Sequence, residues 1–269
     1  MTKKVTEMSP GEIKDAVQDA YASLAKRKAS TPTTSSCCGP QSSTTSGCGT
    51  SGGCGPSIDE YQMAKMKEYG YSIEGLPSSM TESYGGCGNP IALASLNEGE
   101  TVLDLGSGAG LDAYFAAQKV GPTGKVIGVD MTPEMLEKAR KNAEEMGMSN
   151  IEFREGDIED LPVEDNSVDV IISNCVINLA PDKAKVFREA FRVLKPGGRV
   201  MVSDVVLNRE LTDEIRNDIA NYTGCIGGAI PEHDYLQKMK DAGFIDAHVV
   251  EKVGYGIASS ARISAIKPA

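Results

Sequence analysis

Residues 102–110 read VLDLGSGAG. The stretch TVLDLG from Thr101 has the composition of a short buried strand, and GLDAYFAAQKV from Gly110 onward reads as a helix. Gly106, Gly108 and Gly110 fall at the turn between them. Glycine there permits a tight turn and lets a ligand approach the backbone at a helix N-terminus. Taken alone, the motif admits a nicotinamide site, a nucleoside site or only a tight turn. The dinucleotide fingerprint G-x-G-x-x-G would place its third glycine at position 111, which is Leu111, so the run is G-x-G-x-G preceded by Asp104.

Working outward, the pattern stays regular. KVIGVD (125–130), IEFREGD (151–157), VDVIIS (168–173) and RVMVSDVV (199–206) read as strands. TPEMLEKARKNAEEMG and DKAKVFREAFRVL read as helices, the first with Thr132 as N-cap and Pro133 at the first helical position. Strands alternating with helices imply β-α-β units and a doubly wound, mostly parallel α/β sheet. Asp130 ends the second strand twenty residues after Gly110, where a carboxylate can accept both ribose hydroxyls of a nucleoside. Asp157 ends the third, within reach of an adenine amino group. These strand ends outline an adenosine pocket with no need for a pyrophosphate.

Upstream, residues 9–29 carry Ile13, Val17, Ala20, Tyr21 and Leu24 at helical spacing, with Ser9 and Glu12 placed for a capping box. Residues 30–57, rich in Ser, Thr, Gly, Pro and Cys, are linker by composition. Downstream, helical stretches at about 212–222 and 231–242 precede β-prone stretches at about 244–251 and 257–267. The expected organisation is an N-terminal helix and flexible Cys-rich arm (1–57), an α/β domain (58–207) and a smaller C-terminal α+β part (208–269) that binds substrate. The net charge of −11 argues against a nucleic-acid or membrane-surface partner. No apolar run approaches the roughly 18 residues of a membrane span, and the N-terminus lacks the apolar core of a secretory signal. A soluble cytoplasmic protein is the expectation.

Seven cysteines, an odd number in a chain without an export signal, point to metal binding or reactive thiols rather than a disulfide framework. Cys37, Cys38, Cys48 and Cys54 fall in the arm, while Cys87, Cys175 and Cys225 lie outside it. Oxygen and nitrogen nucleophiles usually need a base to remove their proton. The two histidines, His233 and His248, lie far along the chain from the strand ends. Cys175 follows the fourth strand, at the ligand crevice of an open parallel sheet. Cys87 in GGCGNP and Cys225 in GCIGGA have loop settings rather than core ones. Three such thiols could converge as a soft site. Zinc would need a fourth ligand, whereas trivalent arsenic needs only three thiolates and keeps a lone pair free.

Through LDLGSGAG, VIGVDM, EGDIEDLP, VDVIISN and LKPGGRV the chain resembles the class I S-adenosylmethionine-dependent methyltransferases. Through GGCGNP, SNCVINLAPDK and GCIGGA it is similar to the arsenite methyltransferases among them, from about residue 60 to the end. The resemblance implies a seven-stranded Rossmann-like sheet. It implies Gly106, Gly108 and Gly110 at the methionine moiety, Asp130 on the ribose and Asp157 on the adenine. Asp104, Ser107, Met131, Ile158 and Asn174 complete the expected cofactor site. It further implies Cys87, Cys175 and Cys225 as As(III) ligands, stepwise methylation of arsenite, and thioredoxin or a small thiol as reductant. Cys37 and Cys38 would be a capture or redox pair. Two other readings stay open: a small-molecule C- or O-methyltransferase of the quinone-biosynthesis type, and a metalloid-binding protein without turnover.

Overall fold

The computed structural model describes residues 3–26, 58–92, 94–254 and 256–269. Cys37, Cys38, Cys48 and Cys54 lie outside them. The first helix, α1 (Pro10–Ala25), begins with the expected capping box: Ser9 Oγ accepts from the Glu12 amide, and Glu12 Oε2 accepts from the Ser9 amide at 2.7 Å. Two helices follow, α2 (Ile58–Glu68) and α3 (Ser78–Glu82).

The α/β core then runs β1 (Thr101–Leu105), α4 (Leu111–Val120), β2 (Lys125–Asp130), α5 (Pro133–Glu145), β3 (Ile151–Glu155), β4 (Val168–Asn174), α6 (Lys183–Val193) and β5 (Leu194–Leu207). Val102, Leu103, Leu105, Val126, Val129, Val170, Ile171 and Ile172 are all buried. Their near-continuous apolar runs suit strands covered on both faces by helices. At the head of α5, Thr132 stands at the cap position but its side chain makes no cap bond. Its amide instead donates to Asp130 Oδ1 at 2.8 Å, which directs that carboxylate to the end of β2.

Residues 212–222, expected as one helix, form α7 (Asp213–Asn217) and α8 (Ile219–Thr223). The break is at Asp218, whose extended backbone lets its carboxylate cap α8 by accepting from the Ala220 amide at 2.9 Å. The two-residue strand β6 (Ile230–Pro231), α9 (Glu232–Asp241), β7 (Ile245–Val253) and β8 (Ala258–Ile266) complete the chain.

The sheet order is β3-β2-β1-β4-β5-β8-β7, with β6 beside the end of β5. The strands from β3 to β5 are parallel, and β8 is antiparallel to both β5 and β7. The seven expected strands form this path; β6 is the eighth, too short to leave a sequence pattern. Residues 208–269 therefore extend the same sheet, β8 pairing with β5 from Arg199↔Ile266 to Leu207↔Ala258. The order reverses between β1 and β4, which opens a crevice at their C-terminal ends. Helix α1 lies over it, with Ile13 and Val17 in an apolar cluster that also holds Leu179, Tyr222, Cys175 and Cys225. Burial of such aliphatic side chains is worth roughly 1.5–3 kcal/mol each. Among the described residues no helix is long and apolar enough to cross a membrane.

Candidate functional site: two clefts that meet at a cysteine

The turn after β1 holds Gly106, Gly108 and Gly110 at φ of 66°, 52° and 87°. A side chain at Gly106 would meet Val176 at 2.5 Å, whereas the space beside Gly108 is open. The Gly108 amide donates to Asp130 Oδ2 at 2.9 Å. Burial pushes the Asp130 carboxyl up, opposed by the amides of Thr132 and Gly108. Gly106, Ser107, Gly108, Asp130, Met131, Asp157, Ile158 and Asn174 all line one open cleft of about 960 Å³.

Asp104 and Gly110, expected with them, do not line this cleft. Asp104 is buried beneath it, with Oδ2 unpaired among the described residues. Burial first, then the Asp112 and Asp130 carboxylates, push the Asp104 carboxyl well above its usual range. Gly110 serves the fold: in left-handed conformation it starts α4 and faces the Phe153 ring, which a side chain would meet at 3.0 Å.

Asp157 reaches the cleft but its carboxylate is engaged. Oδ2 accepts from Lys14 of α1 at 2.6 Å, and Oδ1 accepts from the Glu159 amide at 2.8 Å. Lys14 also reaches Glu159 at 2.7 Å. Burial works against its charge, yet the two carboxylates outweigh that and raise its pKa. Gln18, one turn on, donates to the Met131 carbonyl at 2.6 Å. Lys14, Gln18 and Tyr21 were not legible as site residues. The apolar stripe of α1 shows that the helix docks, not where.

Asn174 ends β4 and holds the Cys87 loop in place. Its Oδ1 accepts from the amides of Cys87 (3.0 Å) and Gly88 (3.3 Å), while Nδ2 donates to the Gly88 carbonyl (2.9 Å) and Asp112 Oδ2 (3.0 Å). A side chain at Gly86 would strike Asn174 at 2.5 Å, which explains the glycine beside the thiol. Burial pushes the Asp112 carboxyl up to about 6, restrained by hydrogen bonds from Tyr71 and Asn174. On its other side, the Cys87 carbonyl accepts from Ser260 Oγ at 2.7 Å.

The three cysteines converge on a second cleft, lined also by Tyr21, Leu24, Gln62, Tyr84, Gly85 and Gly86. Cys175 and Cys225 are buried and Cys87 is half-buried. Hydrogen bonds with the Cys225 and Cys87 thiols, together with burial, push the Cys175 thiol well above the usual thiol range. Cys225 Sγ donates to the Cys175 carbonyl at 2.9 Å. The thiols are thus neighbours, yet among the described residues no group of three His, Cys, Asp or Glu side chains is arranged as a formed metal-ion site. The sulfurs are turned toward hydrogen-bond partners. Cys175, Tyr21, Tyr84, Gly85 and Gly86 border both clefts.

No carboxylate, histidine or lysine is among the described residues lining the thiol cleft. His233 and His248 are exposed, on α9 and β7. The arrangement therefore sets soft donors beside a first cleft that carries the carboxylates Asp112, Asp130 and Asp157, none of which lines the second.

A family model described as a methyltransferase domain matches residues 96–243. An arsenite methyltransferase from Halobacterium salinarum is 44% identical over 250 residues, spanning 92% of this chain and 61% of that protein. Another, from Aquipseudomonas alcaligenes, is 48% identical over 185 residues, spanning 66% of this chain and 53% of that protein. The chain thus spans between half and two thirds of the length of these curated relatives. The crystal structure of an arsenic (III) S-adenosylmethionine methyltransferase from Chlamydomonas reinhardtii superimposes with a TM-score of 0.65 at 37% identity, covering 80% of this chain and 75% of that one. With the family match spanning more than half of its length and the doubly wound sheet that carries it, this chain belongs to the methyltransferase domain family.

Proposed function

We propose that this chain transfers methyl groups from S-adenosylmethionine to trivalent arsenic held by Cys87, Cys175 and Cys225. The observation that carries the reading is the position of Cys175 on the wall shared by the two clefts. The likeness to proteins named arsenite methyltransferases supports the same substrate.

The first cleft fits the cofactor in its chemistry. It has open space at Gly108, an acceptor carboxylate at Asp130 and a buried Ser107 hydroxyl without a partner among the described residues. Asp130 would take the ribose and Asp157, once shared with or released by Lys14, the adenine amino group. S-adenosylmethionine supplies an electrophilic methyl group on a sulfonium. On the acceptor side, arsenite exchanges each hydroxyl for a cysteine sulfur and releases water with the thiol proton. The arsenic lone pair then forms the new As–C bond as the methyl–sulfur bond breaks. That nucleophile carries no proton, which suits a thiol cleft with no carboxylate, histidine or lysine among its described lining residues. Returning arsenic to the trivalent state takes two electrons from a thiol reductant of the thioredoxin or small-thiol class. Cys37 and Cys38 would serve as a capture or redox pair.

The test supplies protein, S-adenosylmethionine and a thiol reductant with arsenite or with a quinol precursor, and follows methylated product by mass. Methylated arsenic from the first mixture supports the proposal. Methylated quinol alone points to the quinone-biosynthesis chemistry, and arsenite binding without product to a metalloid-binding protein.

A further inference from the structure

Asp112, Asp130 and Asp157 line the first cleft, and Lys14 is the one cation among its described lining residues. Lys14 is committed to Asp157 and Glu159, and Asp130 accepts from the Gly108 and Thr132 amides. Asp112, in the first turn of α4 and 8% exposed, meets only neutral donors among the described residues. Tyr71 Oη donates to its Oδ1, and Asn174 Nδ2 donates to its Oδ2 at 3.0 Å. The Ser107 hydroxyl lines the same cleft, 7% exposed and without a hydrogen-bond partner among the described residues. A buried carboxylate without a cation is costly, and a bound cation offsets part of that cost. The cleft is thus short of positive charge that its ligand can supply.

Asn174 joins this carboxylate to the thiol cleft. The Nδ2 that donates to Asp112 also donates to the Gly88 carbonyl at 2.9 Å, and Oδ1 accepts from the Cys87 and Gly88 amides at 3.0 and 3.3 Å. Tyr71 repeats the link, its hydroxyl standing 3.2 Å from the Gly88 carbonyl as well as on Asp112.

We propose that Asp112 couples the two clefts: it takes the cationic amino-acid end of the nucleoside cofactor in the first and, through Asn174, sets the Cys87 loop at the second. The identity of the cofactor rests on the function proposed above; the link from Asp112 to the Cys87 loop does not. Toward the cofactor Asp112 is a binding residue, and toward Cys87 a positioning residue. An ammonium group held by the carboxylate fixes Asp112 where Asn174 meets it, so an occupied first cleft stiffens the loop that carries the thiol. No covalent bond changes and no proton moves. S-adenosylhomocysteine keeps the ammonium and lacks the transferable methyl group, so it holds the loop in the same way.

The test titrates the full chain, without arsenic, with S-adenosylhomocysteine and with its deaminated analogue, which differs only in lacking the α-ammonium. In the parent chain the analogue is expected to bind about tenfold more weakly. In Asp112→Asn, S-adenosylhomocysteine should fall to the affinity of the analogue, while the analogue itself changes by no more than about twofold. Backbone hydrogen exchange over residues 85–89, read by mass, follows the coupling. S-adenosylhomocysteine should slow it in the parent chain and the analogue should not. That comparison needs no variant, so it decides the matter even where Asp112→Asn does not fold. Equal affinities of the two nucleosides in the parent chain, or exchange that S-adenosylhomocysteine leaves unchanged, overturn the proposal. A parent chain that binds neither nucleoside contradicts the proposed function itself.

Discussion

Cys225 donates its thiol hydrogen to the carbonyl of Cys175 at 2.9 Å, and both residues hold left-handed backbone angles, φ 67° and 63°. Non-glycine residues in this region carry roughly 1–3 kcal/mol of strain each and cluster at functional sites. Two cysteines with the same backbone strain, joined by a thiol-to-carbonyl hydrogen bond, mark a place where packing alone would have favoured glycine. Cys225→Gly is therefore expected to be about 1 kcal/mol more stable than Cys225→Ala, with arsenic methylation lost in both. Urea unfolding of the two variants checks the difference; equal midpoints would remove strain from the description.

Cys87, the proposed third ligand, lies outside the sheet and is held to it through the Asn174 side chain and the Ser260 hydroxyl. Monomethylarsenite already has one As–C bond and needs only two thiolates. Cys87→Ser should then slow the first methylation about tenfold or more and the second by no more than about twofold. Cys175→Ser and Cys225→Ser should abolish both. Asn174→Ala frees the Cys87 loop and is expected to weaken arsenite binding more than methylarsenite binding. Separate assays with the two substrates decide the matter, and equal losses in the Cys87 variant would contradict the division of labour.

Asp204, beside the Cys175 strand end, is buried. Burial pushes its carboxyl up to about 7 against hydrogen bonds and the nearby Lys183 charge. Asn178 Nδ2 and Tyr235 Oη both donate to it. Its folded pKa lies above the ordinary 3.8, so the native state binds the proton more tightly than the unfolded chain. Its contribution to stability is fully present below about pH 3.8 and falls as pH rises through 7. Asp204→Asn should flatten this part of the stability profile between pH 4 and 7. Denaturant midpoints taken across that range test it, and parallel profiles would show that Asp204 does not titrate there.

Cys37 and Cys38, if they capture arsenite for the inner thiols, matter most when arsenite is scarce. Cys37→Ser with Cys38→Ser should lower turnover at low arsenite and spare a single turnover started from preloaded arsenite. Unchanged rates under both regimes would dismiss the pair.

Much of this architecture was legible because it rests on local chemistry. Gly106 and Gly108 need positive φ, the strand ends place Asp130 and Asp157 at the crevice, and Cys87 and Cys225 sit in glycine-rich loop sequences, although Cys225, like Cys175, is buried in an apolar cluster where a core setting was not expected. What was not legible depends on side chains meeting across long separations. Asp104 shares a motif with the glycine turn, yet it is buried within the strand and does not line the cleft. The clamp of Asn174 on Cys87 spans 87 residues, and the ion pair of Lys14 with Asp157 spans 143. No spacing rule reaches so far. Tyr21 could be placed on an apolar helical face, but its position bordering both clefts becomes visible only once α1 is docked.

In the proposed function, three sulfurs hold arsenic where the two clefts meet. X-ray absorption at the arsenic edge tests it most directly, on the arsenite complex of a chain with Cys37, Cys38, Cys48 and Cys54 changed to Ser. Three sulfur neighbours and no oxygen are expected, with oxygen returning to the arsenic shell when Cys175 is also changed to Ser. Arsenic that keeps its oxygens in the first chain, or a spectrum that the Cys175 change leaves unaltered, would contradict it.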